Sequence, residues 1–242
     1  MSDAPSGFSS RPVAVVTGGS RGIGLAVAEA LLRRAHVVHL CSRSPQQVDK
    51  ALRELRRRHG EDQVWGRAVD VGDQEQVDAF IAGVQEQSGR IDCLINNAGV
   101  GYFASVDEMA GEDWRRLMRT NLDGPFYFTR AVAPLMRERG EGLIVNVASL
   151  AGRHGFAGGA AYNASKFGLI GFSEACMLDL RSSGVRVTVI LPGSVETEFA
   201  GLTGGGSWKL QPQDVAQAIE NLLDFPARAL PSRLELRPAR TG

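Results

Sequence analysis

This chain of 242 residues has no excess of charge of either sign and no long apolar run. Its 27 Lys and Arg residues balance 27 Asp and Glu residues, which removes the electrostatic argument for a nucleic acid or membrane partner. No apolar run approaches the roughly 18 residues that a membrane-spanning helix requires. One basic run stands out, Arg53, Arg56, Arg57, Arg58 and His59. A solvated helix end explains it better than a polyanion site, because basic side chains suit helix C-termini.

Cysteine is also scarce. Cys41, Cys93 and Cys176 are odd in number, lack the spacing of metal ligands and lie in apolar stretches, so we expect buried, reduced thiols and no metal site. Residues Met1 to Arg11 are small and polar, which predicts a flexible tail over residues 1–11 rather than a signal peptide. Together these features predict a cytoplasmic protein.

Strand-like and helix-like segments alternate along the whole chain. The predicted strands are Pro12–Thr17, Val37–Ser42, Val64–Asp70, Ile91–Asn96, Leu143–Ser149, Val185–Leu191 and an edge strand Arg233–Arg237. The predicted helices are Gly22–Arg34, Pro45–Arg58, Asp73–Ser88 with Asp73 as N-cap, Glu112 to Arg139, Tyr162–Arg181 and Gln213–Leu223. Pro125 and Pro134 should bend or interrupt the fourth helix. The pattern predicts one α/β domain over residues 12–242, a doubly wound parallel sheet with helices on both faces.

A glycine-rich loop, Thr17–Gly24, joins the first strand to the first helix. Glycine lets the backbone turn sharply and approach a ligand, and the helix N-terminus offers free N–H groups to a phosphate. A tight turn without a ligand is the alternative. The predicted phosphate-binding residues are Gly18, Ser20, Arg21, Gly22, Ile23 and Gly24.

The end of the second strand predicts which dinucleotide binds. A carboxylate there would bind the ribose hydroxyls of NAD, but this chain has Ser42 followed by Arg43 and no acidic residue nearby. Arg21 can reach the same region, and arginine grips phosphate in a bidentate way. The sequence therefore favours NADP(H), with NAD(H) as the alternative.

Tyr162 and Lys166 stand four residues apart on a predicted helix, thirteen residues or more after Ser149. The pair would share one helix face, where the ammonium would favour the phenolate and lower the tyrosine pKa toward a useful acid or base. Ser149 could hydrogen-bond the same substrate oxygen. Taken alone, the pair is also compatible with an ordinary helix-surface contact.

Several motifs in this order resemble the short-chain dehydrogenase/reductase family in its compact, single-domain, Rossmann-type form. The matching segments are the T-G-x-x-x-G-x-G loop at Thr17–Gly24, Asp70 after the third strand, Asn96-Asn97-Ala98-Gly99, the set Asn121, Ser149, Tyr162 and Lys166, and Pro192-Gly193. The resemblance covers nearly the whole chain. Within the family, the chain resembles in general the 3-oxoacyl reductase-like members most.

The resemblance implies a catalytic role for each residue of that set. Tyr162 would be the general acid in carbonyl reduction and the base in the reverse reaction, while Lys166 would lower its pKa and bind the nicotinamide ribose. Ser149 would polarise the substrate oxygen, and Asn121 would support a water for proton relay. A local kink near Pro125 is the alternative explanation for Asn121 in a helix.

The resemblance also implies the cofactor contacts. Asp70, with Val71, would meet the adenine, although Asp70 could instead cap the next turn, and Asn96 and Asn97 could mainly tie loops to strands. The remaining implied contacts are Asn97, Ala98 and Gly99 at the adenosine half, Tyr162 and Lys166, and Pro192, Gly193, Val195 and Thr197 at the nicotinamide.

The function implied is NADP(H)-dependent conversion of a small carbonyl compound to an alcohol, or the reverse. Two alternatives remain: a non-catalytic NADP(H)-binding regulator or scaffold, and a nucleotide-sugar dehydratase or epimerase, which would need a longer C-terminal region. A glycine-rich lid at about residues 194–211 would cover the substrate. The side chains of Tyr102, Phe156, Phe199, Leu202 and Trp208 are expected to form an apolar wall or ordinary packing. His154 is expected to be a loop residue that contacts substrate or solvent rather than an acid or base.

The C-terminal segment Leu230–Pro238 departs from the family by lacking its usual glycines, which puts the usual dimer contact of the last strand in doubt. The resemblance still implies a homodimer or homotetramer, built from the two long helices around Asn121 and Tyr162.

Overall fold

The computed structural model describes residues 11–199, 206 and 208–240. Most of the predicted N-terminal tail and the middle of the predicted lid, with Leu202, therefore lie outside the described residues. The rest of the chain can be compared with the predictions element by element.

Seven parallel strands form one sheet in the order β3-β2-β1-β4-β5-β6-β7. Their bounds are β1 Val13–Thr17, β2 Val37–Ser42, β3 Val64–Ala68, β4 Cys93–Asn96, β5 Gly142–Val147, β6 Val185–Pro192 and β7 Arg233–Leu236. The order reverses direction between β1 and β4, which creates a crevice at the carboxyl ends of the strands, the usual ligand position in such sheets.

Helices cover both faces of this sheet. Their bounds are α1 Gly22–Arg33, α2 Pro45–His59, α3 Gln74–Ser88, α4 Gly111–Met118, α5 Gly124–Arg139, α6 Ala160–Leu180 and α7 Pro212–Leu222. One core cluster contains side chains of α1, α2 and α7, and a second contains side chains of α3 and α5. The predicted Rossmann-type architecture, doubly wound with helices on both faces, is confirmed.

Strand β1 shows why a strand in the middle of this sheet is mostly apolar. All five of its residues are buried. Ala14 and Val16 pack into one core cluster, whereas Val13 and Val15 pack into the other. Because successive side chains of a strand point to opposite faces, a strand with helices on both sides needs apolar residues at every position.

The order of the predicted elements is confirmed, but the predicted fourth helix differs. It is divided by a π-helical segment at Arg119–Asp123, between α4 and α5. The break lies beside Pro125, as the sequence predicts. Proline lacks the N–H that would bond the carbonyl four residues before it, and for Pro125 that residue is Asn121 in the π-helical segment. Helix α5 continues through Pro134.

Two of the three cysteines are buried as predicted, and the last strand lies at the predicted edge. Cys41 and Cys93 are buried and Cys176 is half-buried, all as free thiols. Burial raises the pKa of Cys41 and Cys93 to about 12. Strand β7 lies at the edge of the sheet beside β6. Within the described part of the chain, every helix is too short or too polar to cross a membrane.

A buried histidine in β2 predicts that the stability of the fold depends on pH. His39 stacks on Trp65 and hydrogen-bonds Ser88, and burial lowers the pKa of His39 to about 4. The unfolded chain binds this proton near pH 6.5, so the stabilisation is complete above that pH and is lost as pH falls toward 4. Denaturant unfolding should show about 2 kcal/mol less stability from this residue at pH 5 than at pH 7.

The variant His39→Gln should show a flatter dependence of unfolding free energy on pH over this range. His154→Gln, which changes an exposed histidine, is the control and should keep the wild-type slope. Equal slopes for wild type and His39→Gln would contradict the prediction.

Candidate active site

A cleft of about 1430 Å³ opens at the carboxyl ends of the strands, where the strand order reverses. It exceeds the ~300–1,000 Å³ of an ordinary small-ligand pocket, and therefore has room for a dinucleotide and a second molecule. Most of the predicted site residues line it: Gly18, Ser20, Arg21, Gly22, Ile23, Ser42, Arg43, Val71, Asn97, Ala98, Gly99, Ser149, Tyr162, Lys166, Pro192, Gly193, Val195 and Thr197. The cleft lining does not include Gly24, Asp70 or Asn121.

The glycine-rich loop packs tightly against the loop that follows β4. Gly18 has φ +64°, and a Cβ there would lie 2.9 Å from the Cα of Ala98. A Cβ on Gly24 would lie 2.3 Å from the carbonyl oxygen of Gly18. Gly24 is therefore needed for this close packing rather than for lining the cleft.

Asn97 and Thr17 join these two loops. The hydroxyl of Thr17 accepts hydrogen bonds from the backbone N–H groups of Asn97 and Ala98, both at 3.0 Å. The side chain of Asn97 donates to the carbonyl of Thr17 at 3.0 Å. The alternative role predicted for Asn97, tying loops to strands, is the one that these contacts show.

The N-terminus of α1 has the properties of a phosphate site. Ser44 caps α2 and Asp73 caps α3 through their side chains, as predicted for Asp73. Helix α1 instead begins after Arg21 with no side-chain cap and no acidic residue in its first turn. Its first N–H groups and the positive end of its dipole therefore remain available to an anion.

The end of β2 carries hydroxyl and guanidinium groups. Ser20 donates to Ser42 at 2.9 Å, and Arg43 is exposed. Arg21 is already paired, because its Nη1 lies 3.1 Å from the Oε2 of Glu198 in the segment after β6. A phosphate that used Arg21 would have to compete with this exposed pair.

Asp70 has a structural contact in the protein. Its Oδ1 accepts a hydrogen bond from the backbone N–H of Gly72 at 3.0 Å. This is the turn-capping role that the sequence left open. Val71, beside it, lines the cleft.

Helix α6 brings the predicted catalytic side chains together. Tyr162 and Lys166 lie one turn apart on this helix, and the hydroxyl of Ser149 lies close enough to Tyr162 to favour its ionised form. The Ser149 hydroxyl also accepts a hydrogen bond from the backbone N–H of Ala151 at 3.1 Å. Lys166 is buried, donates from Nζ to the carbonyl of Val147 at 3.0 Å and lies 5.7 Å from the centre of the Tyr162 ring.

Burial determines the protonation of this pair. It raises the pKa of Tyr162 to about 12, although the nearby hydroxyl of Ser149 acts in the opposite direction, and it lowers the pKa of Lys166 to about 8. The expectation that Lys166 lowers the tyrosine pKa is therefore wrong for the protein alone. Desolvation is the larger cause of the shift, and the ammonium is bonded to a backbone carbonyl rather than to the phenol oxygen. At neutral pH, Tyr162 carries a proton that it can donate.

Asn121 positions other parts of the site from the π-helical segment. It is fully buried, and its Oδ1 accepts from the N–H of Val100 at 2.8 Å. Its Nδ2 donates to the carbonyl of Val100 at 2.9 Å and to Ser165 at 3.1 Å. These bonds connect the loop after β4 to α6 at Ser165, the residue before Lys166. They also explain why a polar residue occupies the helix break.

Asn163 is a positioning residue that the sequence analysis missed. Its Nδ2 donates to the carbonyls of Ala151 at 2.6 Å and His154 at 2.9 Å, and its Oδ1 accepts from the N–H of Phe156 at 3.3 Å. These bonds fix the loop between Ser149 and Tyr162. The available signal was an amide side chain in the first turn of α6, where asparagine favours bonds to nearby backbone.

The predicted aromatic wall is partly wrong. Tyr102 lies under the guanidinium of Arg116, with 5.8 Å from Cζ to the ring centre, and it is not among the residues that line the cleft. Its neighbour Phe103 lines the cleft instead. Phe156, Phe199, Trp208 and the exposed His154 do line the cleft.

The doubly wound sheet and the cleft at its switch point define a Rossmann-type α/β protein. Residues 12–204 match the family model for short chain dehydrogenases. The chain therefore belongs to the short-chain dehydrogenase/reductase family and is an oxidoreductase of that family. The side chains described here contain no cluster of three or more His, Cys, Asp or Glu residues that could hold a metal ion.

The chain is similar to several known members. It is 40% identical over 190 residues to a putative ketoacyl reductase of Streptomyces coelicolor, covering 78% of this chain and 72% of that protein. An alcohol dehydrogenase from the archaeon Thermococcus sibiricus, complexed with 5-hydroxy-NADP, superimposes with a TM-score of 0.89 at 30% identity, covering 95% and 97% of the two chains. A single-residue variant of the actinorhodin polyketide ketoreductase with NADPH gives a TM-score of 0.87 at 32% identity, covering 96% and 98%.

The raised pKa of Tyr162 gives a direct spectroscopic prediction for the cofactor-free protein. The ultraviolet absorbance of phenolate should rise equally in wild type and Tyr162→Phe as pH increases from 7 to about 10.5, because Tyr162 keeps its proton over this range. Extra phenolate in the wild type below about pH 9, absent from Tyr162→Phe, would contradict the prediction and restore the lowered pKa inferred from the sequence.

Proposed function

We propose that the protein is an NADP(H)-dependent oxidoreductase that reduces a carbonyl compound to an alcohol, or catalyses the reverse reaction. The observation that carries the proposal is that Ser149, Tyr162 and the buried side chain of Lys166 face one cleft, which the N-terminus of α1 also reaches. The NADP-bound and NADPH-bound neighbours and the ketoacyl reductase relative support it.

The residues of the cleft fit the cofactor. The uncapped first turn of α1 would hold the pyrophosphate, and Arg43, with Arg21 once it leaves Glu198, would hold a 2′-phosphate. Asp70 and Val71, then Asn97, Ala98 and Gly99, would border the adenosine half, and Pro192, Gly193, Val195 and Thr197 the nicotinamide. When bound, the cofactor supplies the hydride that the carbonyl carbon accepts.

The chain itself moves the proton. In the reduction, the hydroxyl of Tyr162 gives its proton to the substrate oxygen as charge develops there, and Ser149 donates a hydrogen bond to the same oxygen. Lys166 would stabilise the phenolate left on Tyr162 and restore its proton, since burial brings the pKa of Lys166 to about 8. In the oxidation, the phenolate acts as the base.

Asn121 would act on this step through position rather than through its side-chain amide. Both Nδ2 hydrogens are already donated, to Val100 and Ser165. A water relay from Lys166 to solvent would therefore use other groups of the π-helical segment. A regulator without turnover is less well supported, because it has no need for this proton-donating pair in the cleft.

We also propose that residues 12–242 form a single domain. The three free thiols favour a location in the reducing cytoplasm. A homodimer or homotetramer through α4, α5 and α6 is favoured by the exposed apolar side chains of Trp114, Phe126, Phe167 and Leu178 on these helices.

Replacing the proton donor tests the mechanism. Tyr162→Phe should lower kcat by roughly 10²–10⁴-fold, the usual contribution of general acid–base catalysis, while the dissociation constant for NADPH in calorimetry stays within about twofold. Tyr102→Phe is the control, since Tyr102 lies outside the cleft lining, and it should keep wild-type turnover. Wild-type turnover in Tyr162→Phe would overturn the assignment.

Replacing Arg43 tests the cofactor preference. Arg43→Ala should weaken NADPH binding about tenfold or more, through loss of charge-assisted bonds to the 2′-phosphate, and leave NADH binding nearly unchanged. Arg57→Ala, an exposed arginine in α2 outside the cleft lining, should change neither. A wild-type protein that binds NADH more tightly than NADPH in calorimetry would contradict the preference.

A further inference from the structure

Four aromatic rings form a continuous cluster around the proposed proton donor. We call Phe103, Phe156, Phe199 and Tyr162 the ring cluster. The centre of the Phe103 ring lies 5.6 Å from that of Tyr162 and 5.8 Å from that of Phe156. The Phe199 ring lies 5.7 Å from Tyr162. Tyr162 thus has phenylalanine rings as neighbours from two different loops.

The three phenylalanine rings of the cluster come from separate segments of the chain and are open to the cleft. Phe103 follows β4, Phe156 precedes α6 and Phe199 follows β6, and all three line the cleft. Phe103 is 39% exposed and Phe156 is 48% exposed. Large apolar side chains left open together at a cleft indicate a surface that an apolar ligand would cover.

Two glycines provide the space in which these rings sit. A Cβ on Gly101 would lie 2.7 Å from the Cε1 of Phe199 and 3.1 Å from the Cζ of Phe103. A Cβ on Gly159 would lie 2.6 Å from the Cζ of Phe156. The rings therefore pack directly against the backbone of these glycines, and the Oδ1 of Asn163 accepts a hydrogen bond from the N–H of Phe156. These contacts fix the shape of the surface that the rings form.

The carboxylate next to Phe199 in the sequence is paired away from the cluster. Glu198 precedes Phe199, and its carboxylate pairs with Arg21 of the glycine-rich loop at 3.1 Å. The ammonium of Lys166 lies 5.7 Å from the centre of the Tyr162 ring and donates to the carbonyl of Val147, and the hydroxyls of Tyr162 and Ser149 lie beside the rings. A ligand here would therefore meet aromatic carbon over its body and hydroxyl donors at one point.

We propose that the substrate is an uncharged ketone or aldehyde whose carbonyl is carried by a flat aromatic or fused-ring body. The aromatic body would pack against Phe103, Phe156 and Phe199, since aromatic pairs favour offset or edge contacts at these spacings. The carbonyl oxygen would then meet Tyr162 and Ser149. This inference rests on the proposed carbonyl reductase function and gives that function a substrate class.

Pairs of ketones that differ only in aromaticity test the proposal. Phenylacetone is compared with cyclohexylacetone, and 2-tetralone with 2-decalone, because in these four the ring is not conjugated to the carbonyl. Pyruvate represents a small charged carbonyl. With NADPH, kcat/KM should be about tenfold or more higher for each aromatic ketone than for its saturated partner, and lowest for pyruvate.

Variants of the ring cluster connect this preference to the proposed residues. Phe103→Leu and Phe156→Leu keep apolar bulk but remove the ring, and each should raise the KM for 2-tetralone about three- to tenfold with little change for 2-decalone. Phe225→Leu is the matched control, since Phe225 is 43% exposed and does not line the cleft, and it should leave both KM values unchanged. Equal turnover of aromatic and saturated ketones by the wild type would overturn the substrate class but leave the proposed function intact.

A binding measurement distinguishes failure of the proposed substrate class from failure of the proposed function. Calorimetry of 2-naphthol with the protein and NADP⁺ reads the ring cluster without turnover. If no ketone is reduced, the proposed function fails. Binding of 2-naphthol that Phe103→Leu and Phe156→Leu weaken, and Phe225→Leu does not, would then still support an aromatic ligand. Absence of binding, or equal binding by all three variants, would overturn it.

Discussion

The hydrogen bonds between Thr17 and Asn97 connect the ends of β1 and β4 at the point where the strand order reverses. Two halves of the cleft meet there. On one side, the glycine-rich loop presents the free N-terminus of α1. On the other, the chain after Asn97 runs through Gly99 to Val100, which Asn121 holds against α6. The glycine-rich loop and helix α6 are therefore connected through one continuous set of hydrogen bonds.

Burial and charge act against each other at the centre of this site. The sequence pairs a phenol with an ammonium, which by itself favours phenolate. The fold removes water from both groups, which favours their neutral forms and moves the pKa of Tyr162 to about 12 and that of Lys166 to about 8. Burial thus favours the neutral phenol in the protein alone, and a positive charge arriving in the cleft would shift the balance toward the phenolate.

Particular residues show where sequence reasoning succeeds and where it stops. The order of strands and helices, and the gathering of Ser149, Tyr162 and Lys166, follow from apolar periodicity and from motif spacing. Tyr102 and Phe103 could not be distinguished, because in a loop the direction of a side chain depends on local backbone angles. The bonds of Asn121 to Val100 and Ser165 could not be predicted either, because these partners are distant in the sequence.

The sequence by itself determined the parallel α/β architecture, the glycine-rich turn and the gathering of Ser149, Tyr162 and Lys166 at one cleft, because these depend on local periodicity and on short spacings. Only the tertiary structure decided that burial raises the pKa of Tyr162, that Arg21 is paired with Glu198 and that Phe103, Phe156 and Phe199 form one cluster with Tyr162. Each of these depends on desolvation or on contacts between segments far apart in the chain, which the folded packing alone brings together.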